Sequence, residues 1–314
     1  MNNFTEITMR PTYLDEYMGQ DKIKEALSFY IKAAKLREEC LDHTIIYGYS
    51  GLGKTTLAHI IANEMEQRLV AVSAPAIRTI EDMRAILLNL EEGDILFIDE
   101  IHRLSKRLEE ILYFAMEDFL LDISYNDMRE RIELMPFTLI GATTSRGMLS
   151  EPLRNRFHIT LELTPYSDEH LIDIVRGVFE RLDLMIGETQ AYEIAKRGRG
   201  IPRIVTGFCR RIADFAIVED SQFITDELVQ TAFSFLGVDE NGLTAQDRRY
   251  LCILGTQFRL RPVGIETLCS ALCDDRSTIE NSVEPYLIQK GYVYKTPRGR
   301  VLSELAIDLV KEME

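Results

Sequence analysis

Residues 48–55 read Gly-Tyr-Ser-Gly-Leu-Gly-Lys-Thr, a full match to the pattern G-x-x-x-x-G-K-[ST]. Nothing else in the chain restricts its fold so strongly. Consecutive backbone N–H groups curl round a phosphate in such a loop, and glycines let the chain approach without a Cβ clash. The loop therefore needs a strand to deliver it and a helix whose N-terminus faces the anion. Both flanks comply. Thr44-Ile45-Ile46-Tyr47 is a short buried-strand run, and Thr56-Leu57-Ala58-His59-Ile60-Ile61-Ala62 carries apolar residues at helical spacing. Lys54 places a point charge between β- and γ-phosphates, and the Thr55 hydroxyl can ligate Mg²⁺. Gly48, Gly51, Leu52, Gly53, Lys54 and Thr55 are thus candidate contacts to a nucleoside triphosphate. A Gly-rich turn with an incidental lysine would not come with this strand and helix.

Short apolar strands at 44–47, 69–73, 94–99, 137–142 and 159–163 alternate with helical patterns, which implies an α/β core with a parallel sheet. The run Asp94-Ile95-Leu96-Phe97-Ile98-Asp99-Glu100 delivers two carboxylates at the end of a buried strand, where open sheets bind ligands. Asp99 would hold the Mg²⁺ shell, and Glu100 would orient and deprotonate the attacking water. A solvated acidic turn is the bland alternative. The strand 137–142 ends in Thr143-Thr144, polar residues able to hydrogen-bond a γ-phosphate or its water. In Leu153-Arg154-Asn155-Arg156-Phe157, two arginines are either surface charges or fingers for a neighbouring subunit's nucleotide. Arg199-Gly200-Ile201-Pro202-Arg203 sets an arginine at a helix start.

From 165 to about 236 only helical periodicities are visible, and 237–242 reads as a linker. The expected domains are 1–164, 165–238 and 239–314. The chain has 314 residues, 46% of them apolar, so a soluble protein with a large core is expected. No apolar run approaches the ~20 residues of a membrane span. The N-terminus carries no basic start followed by an apolar run, and a cytoplasmic location is the expectation. Cysteines at 40, 209, 252, 269 and 273 form no paired C-x-x-C sets, which argues against structural zinc. Cys269 and Cys273 are expected to be reduced core residues on one helix. The formal charge of −15 is awkward for DNA binding, although nucleic acid responds to local fields, and basic residues cluster late in the chain.

The phosphate loop, Asp99-Glu100, Thr143-Thr144, Leu153-Arg154-Asn155-Arg156-Phe157 and Gly200-Ile201-Pro202-Arg203, in this order, resemble an AAA+ ATPase. Asp99-Glu100-Ile101-His102-Arg103-Leu104, Ala115-Met116-Glu117-Asp118-Phe119, Glu284-Pro285-Tyr286-Leu287-Ile288-Gln289 and Thr296-Pro297-Arg298-Gly299-Arg300 narrow the resemblance to the RuvB family. It spans nearly the whole chain. One departure is Tyr49-Ser50, where the family usually carries Pro-Pro; no phosphate ligand is lost by it. The resemblance implies a homohexameric motor round Holliday-junction or duplex DNA, using ATP and Mg²⁺ and working with RuvA and RuvC. It makes Thr144 a sensor of the γ-phosphate and Arg203 a second sensor. It favours Arg156 as the finger acting in trans, with Arg154 second. It adds Thr56, Met9, Arg10, Tyr166, Glu117, Asp118 and Phe119 to the nucleotide's surroundings.

Leu121-Asp122-Ile123-Ser124-Tyr125 and Met128-Arg129-Glu130-Arg131-Ile132-Glu133-Leu134 flank Asn126-Asp127, as in a hairpin with a turn-forming tip. The resemblance makes this hairpin (121–134) the RuvA dock, with Ile132 the firmer contact and Met128 the second. The last seventy residues fit a winged helix. The expectation is a helix over 262–273, then a second opened by the capping-box pattern Ser277-Thr278-Ile279-Glu280 and kinked at Pro285. Residues 296–300 form a basic wing of the kind that positions phosphates. Arg276, Lys295 and Arg300 occupy the family's DNA-contact positions, with Arg298 on the same wing. A clamp-loader subunit and a DNA-binding regulator switched by ATP are the competing readings. The wing speaks against the first and Glu100 against the second.

Overall fold

The computed structural model describes residues 10–125 and 128–313. Strands β1 (Thr44–Tyr47), β2 (Leu69–Ser73), β3 (Ile95–Asp99), β6 (Thr138–Thr143) and β7 (Ile159–Glu162) form a parallel sheet in the order β2-β3-β6-β1-β7. Every residue of β1 and β6 is buried, as strands covered by helices on both faces must be. The edge strand β7 alternates instead, with Ile159 and Leu161 buried and Thr160 and Glu162 exposed.

Helices α1 (Asp21–Arg37), α2 (Lys54–Met65), α3 (Ile80–Leu88), α4 (Lys106–Glu117), α5 (Glu151–Arg154) and α6 (Asp168–Arg181) accompany the sheet. Helix α2 starts at Lys54, directly after the phosphate loop, and buries Leu57, Ile60 and Ile61 completely. Each such side chain is worth roughly 1.5–3 kcal/mol as an upper estimate. Helix α3 is opened by a capping box in which Thr79 and Asp82 satisfy each other's backbone N–H. Strands β4 (Leu120–Tyr125) and β5 (Met128–Glu133) pair antiparallel, with Leu121 opposite Ile132. The expected hairpin is therefore present, and its tip, Asn126-Asp127, lies outside the described residues.

The chain folds into two compact units, Met1–Arg181 with Gly200–Thr206, and Leu182–Arg199 with Gly207–Glu314. The division falls inside the 165–238 segment, and the first residues of α8 (Pro202–Val218) go with the sheet. The second unit also holds α7 (Glu188–Arg197) and α9 (Asp226–Leu236). It contains two short strands that periodicity did not reveal, β8 (Met185–Ile186) and β9 (Phe223–Ile224), paired in parallel. Two-residue strands are too short to show alternation. The expected linker at 237–242 is an ordered turn. Asp239 accepts hydrogen bonds from the Asn241 and Leu243 amides at 3.0 and 2.8 Å, and Arg248 donates to the Gly237 carbonyl at 2.9 Å.

The C-terminal part comprises α10 (Ala245–Cys252), α11 (Ile265–Leu272), α12 (Arg276–Thr278), α13 (Glu284–Gln289), the hairpin β10 (Val293–Thr296) and β11 (Gly299–Leu302), and α14 (Glu304–Met313). Its core includes Tyr250, Leu268, Ile279, Leu287, Val293 and Ala306. The helix expected over 262–273 is shorter, because Val263 exchanges backbone hydrogen bonds with Arg300 and extends the wing instead. Gly299 makes this approach possible: with φ at 128°, a Cβ there would stand 2.3 Å from the Val263 carbonyl oxygen. Asp275, not Ser277, caps the next helix, accepting from the Thr278 amide at 2.9 Å. A π-helical turn (Ile279–Val283) follows, and Pro285 sits in the first turn of α13, where its missing N–H costs least. Cys273, expected in the core, is exposed at the left-handed cap of α11.

Candidate functional site

Strand order decides what meets at the phosphate loop. The loop leaves the end of β1, Thr144 follows β6, and Asp99-Glu100 closes β3. Because β6 lies between β1 and β3, these groups arrive on adjacent strands about 5 Å apart. The Gly48 amide donates to the Thr143 carbonyl at 3.2 Å, tying the loop to the β6 tip. Gly48, Gly51 and Gly53 all have positive φ, and the fully buried Leu52 anchors the loop between them. Such alternation turns successive N–H groups toward one point.

Lys54 is buried, and its ammonium donates to the carbonyls of Gly48 at 2.8 Å and Tyr49 at 3.2 Å. Burial lowers its pKa; Glu100 and Asp99 pull it back up, and Arg203 adds to the lowering. The four charges therefore share one neighbourhood. Arg203 donates its backbone N–H to the Gly51 carbonyl and its Nη1 to Ser50 Oγ, both at 3.3 Å. Ser50, in the departure from Pro-Pro, thus supplies a hydroxyl that proline lacks. The approach is close enough that a Cβ on Gly51 would stand 2.7 Å from Ile201 Cγ2.

Glu100 has φ at 51°, a left-handed conformation costing a non-glycine residue about 1–3 kcal/mol. Its amide donates to Asp99 Oδ1 at 3.0 Å, and the Thr144 hydroxyl donates to its Oε2 at 3.4 Å. His102 and Thr143 also meet here, a pair the motifs did not single out; their 41-residue separation leaves no local signal. Among the described residues no group of three or more His, Cys, Asp or Glu could hold a metal ion. A nucleotide-borne Mg²⁺ needs less, since phosphates and water fill most of its shell. Thr55 and Asp99, both partly exposed, offer the hydroxyl and carboxylate such an ion takes.

The other expected contacts divide. Arg10 is exposed, and its charge, after burial, helps lower the pKa of His59 on α2. Thr56 is half-buried in the first turn of α2. Tyr166 is buried against Gly19, donates its N–H to the Gly200 carbonyl at 2.9 Å, and has its phenol pKa raised by burial. Met9 lies outside the described residues. Glu117, Asp118 and Phe119 lie at the opposite end of the sheet, where strands begin: the Met116 carbonyl bonds His43 Nε2, and the Phe119 ring packs on His43 and Phe137. They do not join the phosphate loop of the same chain. Arg156 is at that end too, donating to Glu117 Oε2 at 2.6 Å and to the Pro152 carbonyl at 2.9 Å. Arg154 is exposed, with no ion pair among the described residues.

In the hairpin, Ile132 is half-buried opposite the buried Leu121; the Met128 side chain lies outside the described residues. On the wing, Arg298 is exposed and has no ion pair among the described residues. Lys295 is half-exposed and reaches Glu284 Oε2 at 2.6 Å. Arg300 is only 12% exposed and is held by Glu284 and Glu280, each at 2.8 Å. Arg276 is exposed and pairs with Glu280 at 2.9 Å. Of the expected DNA contacts, Arg298 is thus the cation with no acid beside it among the described residues, Lys295 and Arg276 are exposed but paired, and Arg300 is mostly covered and paired with Glu280 and Glu284.

Three family models match the chain: the Holliday junction DNA helicase RuvB P-loop domain over residues 9–163, the RuvB AAA lid domain over 166–239, and the RuvB C-terminal winged helix domain over 240–311. The Holliday junction branch migration complex subunit RuvB of Acholeplasma laidlawii (strain PG-8A) is 48% identical over 314 residues, covering 99% of this chain and 93% of its own. The subunit of the same name from Rickettsia africae (strain ESF-5) is 48% identical over 313 residues, covering 98% and 92%. The solved Thermotoga maritima RuvB Holliday junction branch migration motor is similar with a TM-score of 0.87 at 43% identity, covering 97% of this chain and 98% of that one.

Proposed function

The chain belongs to the RuvB family, and from that premise we propose that it is a ring-forming ATPase that drives Holliday-junction branch migration, each nucleotide site being completed by a neighbouring protomer. Family membership carries ATP-dependent motor activity at Holliday junctions and removes the clamp-loader and regulator alternatives. The finer assignments are proposals, and one observation carries them. Arg156 lies where the sheet's strands begin, while Lys54, Glu100 and Thr144 lie where they end. Strands of four to six residues separate those ends by about 10–17 Å. An arginine so placed serves a nucleotide only in trans. Repeating that contact round a closed ring is a heterologous assembly, which we take as a homohexamer.

Within the shared site, backbone N–H groups of 48–55, with Lys54, hold the β- and γ-phosphates. Thr55 and Asp99 hold Mg²⁺, which neutralises phosphate charge when bound. Thr144 orients, and Glu100 accepts the proton of, the attacking water. Arg203 reports the γ-phosphate to the start of α8, and the neighbour's Arg156 offsets the charge that develops on the transferred group. We divide the chain into an ATPase domain (1–164), a lid (165–238) and a winged helix (239–314). Arg298, with Lys295 and Arg276, grips DNA phosphates, RuvA docks at Ile132 and Met128, RuvC joins the resolving complex, and the motor works in the cytoplasm.

The test is a synthetic four-way junction incubated with ATP, RuvA and this chain. Migration to duplex products is expected, and it should vanish with Glu100→Gln while nucleotide still binds. A junction left intact by the active ATPase and RuvA would overturn the reading.

A further inference from the structure

His102 has no role so far, yet its side chain is only 10% exposed and stands between the tips of β3 and β6. Nδ1 lies 3.2 Å from Glu100 Oε2 and 2.8 Å from Thr143 Oγ1. The carboxylate selects the proton arrangement. With Nδ1 unprotonated, its lone pair would face an anion only 3.2 Å away. With the proton on Nδ1, the ring donates to Thr143 Oγ1 at 2.8 Å and sets the positive end of its N–H 3.2 Å from Glu100 Oε2. The Thr143 hydroxyl proton then turns to the Ser145 carbonyl, 3.3 Å away, while the same oxygen accepts from the Ser145 amide at 3.0 Å. Thr143 Oγ1 thereby has all its hydrogen-bonding capacity used, and the side chain, fully buried, cannot move aside.

We propose that His102 is a positioning residue for Glu100: its Nδ1–H pins Oε2, leaves Oε1 to receive the proton of water, and ties the base to the β6 tip through Thr143. The proposal rests on the reading of Glu100 as the base. His102 itself neither gives nor takes a proton in the reaction. The left-handed backbone at Glu100 makes such support necessary, because a strained residue keeps one side-chain direction only where its surroundings enforce it.

Three substitutions separate this role from simple packing. His102→Asn keeps a donor where Nδ1 stands, His102→Gln moves it to the Nε2 position, and His102→Leu removes it. DNA-stimulated ATP turnover, titration with a fluorescent ATP analogue and thermal melting are measured for each. The Leu and Gln variants should lose about 10–100-fold in kcat, with KM and nucleotide affinity changed by less than about threefold, and Asn should restore most of the rate. In a Glu100→Gln background, His102→Leu should lower the residual turnover no further, since it acts only through Glu100. The proposal is overturned if His102→Leu keeps the wild-type kcat, if Gln serves as well as Asn, or if the loss persists in full without Glu100. Should His102→Leu fail to fold, the Asn and Gln pair decides alone. Wild-type turnover by Glu100→Gln itself would instead remove Glu100 as the base.

Discussion

Arg156 Nη2 donates a 2.6 Å hydrogen bond to Glu117 Oε2, and its guanidinium also lies 4.7 Å over the Tyr113 ring. The arginine we assign to a neighbour's nucleotide is therefore held in position by its own subunit. Glu117→Ala should free it, lowering turnover about tenfold while leaving nucleotide affinity unchanged. Arg156→Ala should cost about 10³ or more. Steady-state ATP hydrolysis with duplex DNA, beside nucleotide titrations, checks both. A loss of affinity in Glu117→Ala would mean that Glu117 instead holds nucleotide directly.

Gly51 has φ at 84° and no room for a Cβ beside Ile201 and Arg203. Gly51→Ala should strain the loop by about 1–3 kcal/mol and push residues 200–206 away from it. Weaker binding of a fluorescent ATP analogue and a lower melting temperature are the expected outcomes. Gly177→Ala on α6 meets nothing within 4 Å and serves as the control. It should be neutral or stabilise by up to about 1 kcal/mol.

The wing separates grip from scaffold. Arg298→Ala should weaken duplex binding and reduce the slope of log affinity against log salt by about 1, with no change in melting temperature. Arg300→Ala leaves Glu284 without its main partner in the interior and should cost about 3–5 kcal/mol of stability. Unchanged melting of Arg300→Ala, with DNA affinity lost, would make Arg300 a phosphate contact after all.

Glu284 is fully buried and accepts from Arg300 Nε at 2.8 Å and the Tyr250 hydroxyl at 3.0 Å, with Lys295 Nζ at 2.6 Å. Burial opposes its ionisation, but the hydrogen bonds from Arg300, Lys295 and Tyr250 outweigh it and hold the carboxyl below its ordinary 4.5. The unfolded chain then binds this proton more readily than the folded one. The stabilisation is complete above 4.5 and is lost as pH falls through the folded value. Melting curves should show Glu284→Gln less stable by about 3 kcal/mol near neutrality, the gap narrowing in acid. A gap that stayed constant into acid would show that ionised Glu284 contributes nothing.

The motifs were legible because each is local. A phosphate loop after a strand, acids at a strand end and a threonine at another strand end follow from spacing alone, and the parallel sheet follows from their alternation. What spacing could not carry were partners far along the chain. Glu117 meets Arg156 across 39 positions and His102 meets Thr143 across 41. Arg300 is the instructive case. As a basic residue in a Thr-Pro-Arg-Gly-Arg wing it looks like a phosphate contact, and spacing gives no sign that Val263 pairs with its backbone or that Glu284 and Glu280 hold its side chain. The π-helical turns at Ile253–Gln257 and Ile279–Val283 leave ordinary helical periodicity in the sequence and were equally hidden.

Subunit mixing tests the shared site most directly. Arg156→Ala and Glu100→Gln proteins should each be nearly inactive as ATPases in the presence of duplex DNA. Mixed in equal amounts into one ring, about a quarter of random interfaces would join an intact Glu100 to a neighbour's intact Arg156. Turnover rising well above either protein alone, toward that fraction of the wild-type rate, is the expected result. Mixed rings that stay at the background of the separate proteins, or an Arg156→Ala protein that hydrolyses ATP at the wild-type rate, would contradict it.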